Sequence, residues 1–438
     1  MERAFHQASR YYRPMERSIP WTKPAVSTTG EPLPRFRSLP DPTVEPQNVG
    51  RQGWYRDNLL LPALTLRVSS LEHNARLQAQ WCEANDVEQA PHAKTHMSPE
   101  IVRLQLQSGA WGMAAASVHQ ARFLAATGVD RIILAHEVVD RGNATALARL
   151  AQEYPDVQVV PIVDSLAGVE MVAQHLDRAG MRNPLPVLVE LGVTGGRTGV
   201  RDEADLIEIA EAVHGSSALT LAGVEGFEGI LPVGRDEASL ERIDAFLARL
   251  VAVTVELDRR DLFDEVTEVL LTAGGSVYPD RLAKVDRPEL SVPLRLVVRS
   301  GATITHDHGA SAAAAPLAPE ADHPLGGLRP ALDLWAAVVS APEPGLALAN
   351  FGKRDAPYDS RMPVVLQVLR NGEAIATDGV TVDRMNDQHA YVSHGGQVQV
   401  GDVLRLGPCH PCTAFDKWSL VPLLDDQDAV VGAITTWF

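Results

Sequence analysis

The sequence predicts an α/β protein in which a (β/α)8 TIM-type barrel is followed by an antiparallel β-domain. Three observations carry this. From Ser69 to Val298 short apolar runs alternate with helical stretches, which is the pattern of parallel strands joined by right-handed crossovers. The runs number eight, which matches a closed barrel. After the Pro- and Ala-rich stretch Ala310 to Pro330, helical periodicity gives way to strand-like runs. At 438 residues the chain exceeds what one core organises, so two domains are expected. Residues 57–325 are assigned to the barrel and 326–438 to the β-domain, with 1–56 as an N-terminal arm.

In chain order, Met1 to Arg56 is rich in Pro, Trp, Tyr and Arg and lacks periodicity. It reads as an extended arm, either a wrapping terminus or part of a subunit interface. Ser69 and Glu72 have capping-box spacing ahead of a helix containing Leu71, Ala75 and Trp81. The strand runs are Val87–His92, Ala110–Ala115, Arg131–Ala135, Val157–Val163, Pro186–Leu191, Leu219–Glu225, Val266–Thr272 and Leu294–Val298. Ser98 before Pro99, with Gly109 beyond the last turn, brackets one helix, and Ser117 with Gln120 opens the next. An open doubly wound sheet is the alternative topology. In the second domain Leu334–Val339, Val364–Leu369, Ala390–Ser393 and Val403–Leu406 read as strands.

Composition excludes several classes. A formal net charge of -17, with no run of Lys and Arg, repels a polyanion and argues against nucleic acid. Met1 to Pro14 has no apolar core of a signal peptide, and no later segment has the apolar length of a membrane span, so a cytoplasmic location is expected. Cys82, Cys409 and Cys412 are too few for a disulfide framework.

Four segments carry chemistry. Pro91-His92-Ala93-Lys94-Thr95-His96 ends the first barrel strand, on the face where barrel enzymes build their sites. Along an extended strand His92 and Lys94 share a face, so both can enter the barrel mouth. A desolvated lysine near other cations has a lowered pKa and forms a Schiff base with an aldehyde; a lysine snorkelling to a strand-end carboxylate is the competing reading. Thr272-Ala273-Gly274-Gly275-Ser276 ends the seventh strand, where glycine amides can approach a phosphate, although alone it is only a turn. The loop Gly192 to Gly199 presents Arg197, a fixed cation for a cofactor oxygen or a substrate carboxylate, or simply a solvated surface residue. In Pro408-Cys409-His410-Pro411-Cys412-Thr413, His410 and Cys412 can share one soft or borderline metal and leave positions open. Cys409 and Cys412 also spell C-x-x-C, but a dithiol pair normally opens a helix, whereas this one follows a strand-like run and carries two prolines.

Together with Arg299-Ser300-Gly301 to Thr305-His306-Asp307, these segments resemble, in order from Leu61 to Phe438, the D-serine dehydratase-like and D-threonine aldolase-like proteins of fold-type III. The closing Phe415-Asp416-Lys417-Trp418 is most similar to a subgroup called amino acid deaminases. The resemblance implies a barrel like the alanine racemase N-terminal domain, pyridoxal 5'-phosphate as cofactor, and a homodimer in which one chain's β-domain completes the other's site. It implies catalytic roles for Lys94, His92 and Arg197. It implies cofactor contacts from Lys94, Arg197, Thr272, Gly274, Gly275 and Ser276, and a divalent metal, Zn2+ or alternatively Mn2+, on His410 and Cys412. Cysteine as second ligand is similar to the zinc-dependent dehydratases, where the aldolases tend to use a carboxylate. Two departures stand out: Phe227 replaces a frequent tyrosine, and Ala310 stands where many relatives place another.

The expected activity is therefore that of a lyase converting a D-serine-like 3-hydroxy D-amino acid to a 2-keto acid and ammonia, with Lys94 removing the α-proton and the metal assisting departure of the hydroxyl. The alternatives are retro-aldol cleavage of the D-threonine aldolase type, giving glycine and an aldehyde, and a non-catalytic pyridoxal-phosphate-binding protein.

Overall fold

A computed structural model describes residues 36–231, 234–309, 315–317 and 323–438. Ala310 and the arm before residue 36 lie outside the described residues.

The chain enters on β1 (Ala63–Arg67) and α1 (Val68–Ala84). Eight parallel strands follow: β2 (Glu88–Gln89), β3 (Met113–Ala115), β4 (Arg131–Glu137), β5 (Gln158–Val163), β6 (Leu185–Leu191), β7 (Leu219–Gly226), β8 (Val269–Ala273) and β9 (Leu294–Val298). Their order, β2-β9-β8-β7-β6-β5-β4-β3, is that of a barrel. The remaining seam is drawn together by Trp111 N–H to Gln89 O at 2.9 Å and Ala114 N–H to Pro91 O at 3.0 Å. The open doubly wound alternative is thereby set aside. Six of the crossover helices start on a side-chain cap, from Ser98, Ser117, Asp140, Ser165, Asp202 and Asp236, each satisfying an amide the helix cannot. Ser69 does not cap α1. The helix begins at Val68, and the Ser69 hydroxyl bonds Asp426 Oδ1 at 2.6 Å instead.

Alternation sorts the strand side chains. Ala114, Ile133, Val160, Ile162, Leu188, Ala222, Leu270 and Val297 fill the barrel interior, while the opposite faces pack under the helices. Each of the Val, Leu and Ile side chains contributes about 1.5–3 kcal/mol by its burial.

The second domain is a mixed, mostly antiparallel sheet. It comprises β10 (Leu332–Glu343), β11 (Leu346–Ala349), β12 (Val364–Arg370), β13 (Glu373–Ile375), β14 (Thr381–Met385), β15 (Ala390–Ser393), β16 (Val403–Gly407), β17 (Leu420–Leu424) and β18 (Val430–Thr435). β1, which lies within the 57–325 range assigned above to the barrel and was not among the strand runs, joins this sheet, antiparallel to β10 and parallel to β17. Leu71, Ala75 and Ile101 from the barrel side share a hydrophobic core with this domain. The described end of the arm packs here too. Phe36, Leu39 and Val49 are buried against Leu420 and Val430, and the Arg37 guanidinium stacks 3.5 Å over Trp418. Among the described residues no helix is long and apolar enough to cross a membrane.

Candidate active site

The C-terminal mouth of the barrel opens on a cavity of about 380 Å³, within the usual range for small-molecule sites. His92, Lys94, Arg197, Gly274, Gly275, Ser276 and Cys412 all line it.

Lys94 does not sit on a strand. β2 stops at Gln89, a single bridge joins His92 to Ala114 beyond Pro91, and the chain turns through one 3-10 turn at Ala93–Thr95. His92 and Lys94 reach the same space because the turn, not strand alternation, aims them. The turn is pinned behind by His96, whose Nδ1 accepts from Ser98 N–H at 3.1 Å; its Nε2 therefore carries the proton and donates to Gln105 Oε1 at 3.2 Å. Gly301 lets the segment after β9 close on the turn, since a Cβ there would stand 2.7 Å from His92 O and 2.8 Å from Thr95 Oγ1.

Lys94 is reachable from the cavity, yet the enclosing protein lowers its pKa, with Arg197 and Arg299 adding to the effect and Cys412 opposing it. His92 is held well below 6.5, first by enclosure and then by Lys94 and Arg299. Its ring donates to the Ala114 backbone, and its buried Nδ1 has no partner. Arg197 lies 4.9 Å over the Phe227 ring. Arg299, to which the sequence reading gave no role, lines the same cavity and pairs with Glu225 while donating to Gly226 O at 3.0 Å.

The glycine turn after β8 is a built oxyanion nest. Gly274 has φ +98°, a conformation that favours glycine. The amides of Gly274 and Gly275 each donate to the carboxylate of buried Glu228, at 2.8 Å. Those two donors are thus engaged by the protein's own carboxylate. Ser276, whose Oγ accepts from Ala302 N–H at 3.2 Å, forms with Gly301 and Ala302 the adjoining part of the cavity wall. Thr272 stands back from the cavity, fully buried, with its hydroxyl donating to Val297 O at 2.9 Å. A lysine of lowered pKa, two arginines and this wall fit a phosphorylated aldehyde such as pyridoxal phosphate.

Cys412 comes from the loop after β16, more than three hundred residues from Lys94 in sequence, and its Sγ lies 3.2 Å from Thr95 Oγ1. The contact is within one chain and brings the thiol to the turn that carries the lysine. Cys409 faces elsewhere. It is buried, donates to Met362 O at 3.4 Å, and has its pKa raised by burial. All three cysteines are free. His410 hydrogen-bonds Cys412, which first among its neighbours raises the imidazole pKa to about 9. Its Nδ1 also meets Asp359 Oδ2 at 2.6 Å, while Asp359 Oδ1 accepts from Thr413 Oγ1 at 3.0 Å. An imidazole touching a thiol, with a carboxylate orienting the ring, is a donor set that fits a zinc-like cation. Asp359, in an irregular stretch between β11 and β12, carried no sequence signal.

Two family models match this chain in order: "Alanine racemase, N-terminal domain" over residues 66–276 and "Putative serine dehydratase domain" over 331–424. They define the class, a fold-type III barrel with its appended β-domain. The chain belongs to the pyridoxal-phosphate enzyme family of D-threonine aldolase, D-hydroxyaspartate dehydratase and serine dehydratase-like proteins. It is 28% identical over 358 residues to the D-threonine aldolase of Arthrobacter sp, covering 81% of this chain and 86% of that one. It is 26% identical over 380 residues to the 3-hydroxy-D-aspartate aldolase of Paracoccus denitrificans (strain Pd 1222), covering 84% and 89%. With the D-threo-3-hydroxyaspartate dehydratase of Delftia sp. (strain HT23) the match is 27% over 165 residues, 37% of this chain and 42% of that one. The fold is shared with a crystal structure of D-threonine aldolase from Filomicrobium marinum, at TM-score 0.73 and 23% identity over 88% of this chain and 97% of that chain.

Proposed function

We propose that the protein is a pyridoxal-phosphate- and divalent-metal-dependent lyase that cleaves the Cα–Cβ bond of D-3-hydroxy amino acids, releasing glycine and an aldehyde. The observation that carries this reading is the approach of Cys412 to the Lys94 turn in one cavity, 3.2 Å from Thr95 Oγ1. The sequence alone favoured dehydration. The two aldolases each match more than four fifths of this chain, whereas the dehydratase matches 37%, and this moves the preference to aldol cleavage.

Pyridoxal phosphate, when bound, supplies an electron sink at the substrate's α-carbon. Lys94 is the amine that would hold its aldehyde, and Ser276, Gly301 and Ala302 offer a wall for its phosphate. His410 and Cys412 would hold the metal, a Lewis acid for the β-hydroxyl, and an N/S donor set suits Zn2+ better than Mn2+. Arg197 offers its guanidinium to the substrate carboxylate. Aldol cleavage also needs the β-hydroxyl proton taken up, and His92 is suited to this. Its enclosed Nδ1 has no hydrogen-bond partner, its other nitrogen donates to Ala114, and burial first, then Lys94 and Arg299, keeps the ring neutral. An anionic ligand would offset those cations and raise its basicity. A homodimer, implied by the resemblance, belongs to this reading.

Dehydration to a keto acid and ammonia is the second reading, favoured by the thiol of Cys412 as metal donor. Product analysis separates the two. Protein supplied with pyridoxal phosphate and Zn2+ and incubated with D-threonine is expected to give glycine and acetaldehyde in equal amounts. Formation of 2-oxobutyrate and ammonia instead would establish the dehydratase, and neither product from any D-3-hydroxy amino acid would defeat both.

A further inference from the structure

A second polar group occupies the barrel mouth beside the cavity, and nothing above assigns it a role. Strand alternation puts it there. Ile162 and Leu188 face the barrel interior, and Asp164 and Glu190 follow each of them by two residues. Glu137 stands directly across from Ile162 in the β4–β5 register, and Glu190 across from Glu225 in β6–β7. Glu137, Asp164 and Glu190 each offer a carboxylate oxygen, and these oxygens all lie within 4.8 Å of one another.

The cluster is short of partners. Glu190 is 2% exposed, and its Oε2 has no hydrogen-bond partner; the buried Oε1 of Glu137 has none either. His136 Nδ1 meets Glu137 Oε2 at 3.2 Å, and Gly199 N–H donates to Asp164 Oδ2 at 3.1 Å. Among the described residues no lysine or arginine pairs with any of the three. Burial, with Glu225 and Glu137 alongside, pushes the Glu190 carboxyl up to about 8. Gathered anions with unsatisfied buried oxygens are costly unless a proton or a cation is taken up.

We infer that Glu137, Asp164 and Glu190 bind a hard divalent cation of Ca2+ size, separate from the metal on His410 and Cys412. Ca2+ takes oxygen ligands at about 2.3–2.6 Å, so two ligands on opposite sides stand about 5 Å apart, and a set gathered within 4.8 Å can close on one ion. The all-carboxylate set selects a hard cation, while the imidazole–thiol pair selects a softer one. The ion would steady the loop that carries Arg197, because Asp164 already holds the Gly199 amide and Glu190 bonds Thr198. The rival is a proton shared between Glu190 and Glu137, with no ion.

The test is calorimetric titration of the full-length, zinc-loaded protein with Ca2+ alone, after dialysis against a calcium-selective chelator. The expected result is one Ca2+ per chain, weakened about tenfold or more by Glu190→Gln and unchanged by Cys412→Ser. Absence of Ca2+ uptake by the wild type at millimolar concentration overturns the inference in favour of the shared proton. Full Ca2+ affinity in a folded Glu190→Gln protein overturns it in favour of another site. Should that variant fail to fold, Asp164→Asn carries the same two outcomes. The readout is independent of turnover, so the activity proposed above can fail without touching it.

Discussion

Lys94 and Cys412 meet in one cavity, yet the two regions that present them hold their side chains in different ways. On the barrel side a 3-10 turn is clamped between the His96 bonds and the close approach of Gly301, and Arg197 and Arg299 surround the amine. The surroundings are dense and cationic, which favours a neutral amine and an anionic ligand. On the β-domain side His410 and Cys412 lie on a short loop after β16, and their orientation rests on one exposed carboxylate, Asp359, together with Thr413. The barrel side is a pre-formed pocket. The β-domain side is a pair of donors whose arrangement a bound metal would complete.

If that contrast holds, the largest effect belongs to the amine. Lys94→Ala is expected to lower turnover about a thousandfold or more and to abolish the cofactor's imine absorbance, while metal content stays unchanged. A normal spectrum in that variant would remove Lys94 from its role. Next comes the β-domain anchor. Asp359→Asn should weaken zinc binding about 10–100-fold, measured by competition with a chromophoric chelator, and leave pyridoxal-phosphate affinity intact; equal loss of both would mean the two regions are not separately held. A smaller effect is expected where they are packed together. Gly301→Ala, crowding His92 and Thr95, should cost about 1–3 kcal/mol, read as a lower thermal midpoint.

The smallest effect comes from the clamp behind the turn. Burial lowers the His96 pKa from 6.5 to about 4, with the Gln105 bond only partly offsetting it. Between those values the unfolded chain takes up a proton that the folded one refuses. This contribution to stability is therefore complete above pH 6.5, is lost as pH falls toward 4, and levels off below. A series of urea midpoints should show that slope, and His96→Asn should flatten it.

Much of this arrangement was legible in the sequence for reasons that differ by region. Parallel strands buried on both faces read as apolar runs, so the barrel emerged from periodicity. Lys94 was found although the strand geometry invoked for it is replaced by a 3-10 turn at Ala93–Thr95. His410 and Cys412 were visible from residue chemistry at short spacing. Asp359 was not, since a carboxylate 51 residues away joins His410 only through tertiary folding. Nor was Glu228 legible as the occupant of the Gly274 and Gly275 amides, because glycine amides signal an anion without saying which. Pairing of β1 with β10 and β17 was hidden for a similar reason: position in the chain says nothing of which sheet accepts a strand.

The central claim is that one bound molecule touches both regions of the same chain. Loading the protein with Co2+ would give a metal-bound Cys412 thiolate a charge-transfer band that reports its coordination. That band is expected to shift when D-threonine is added to the pyridoxal-phosphate-loaded protein, but neither with D-alanine, which lacks the β-hydroxyl, nor in Lys94→Ala. A band indifferent to D-threonine during continuing turnover would contradict the account.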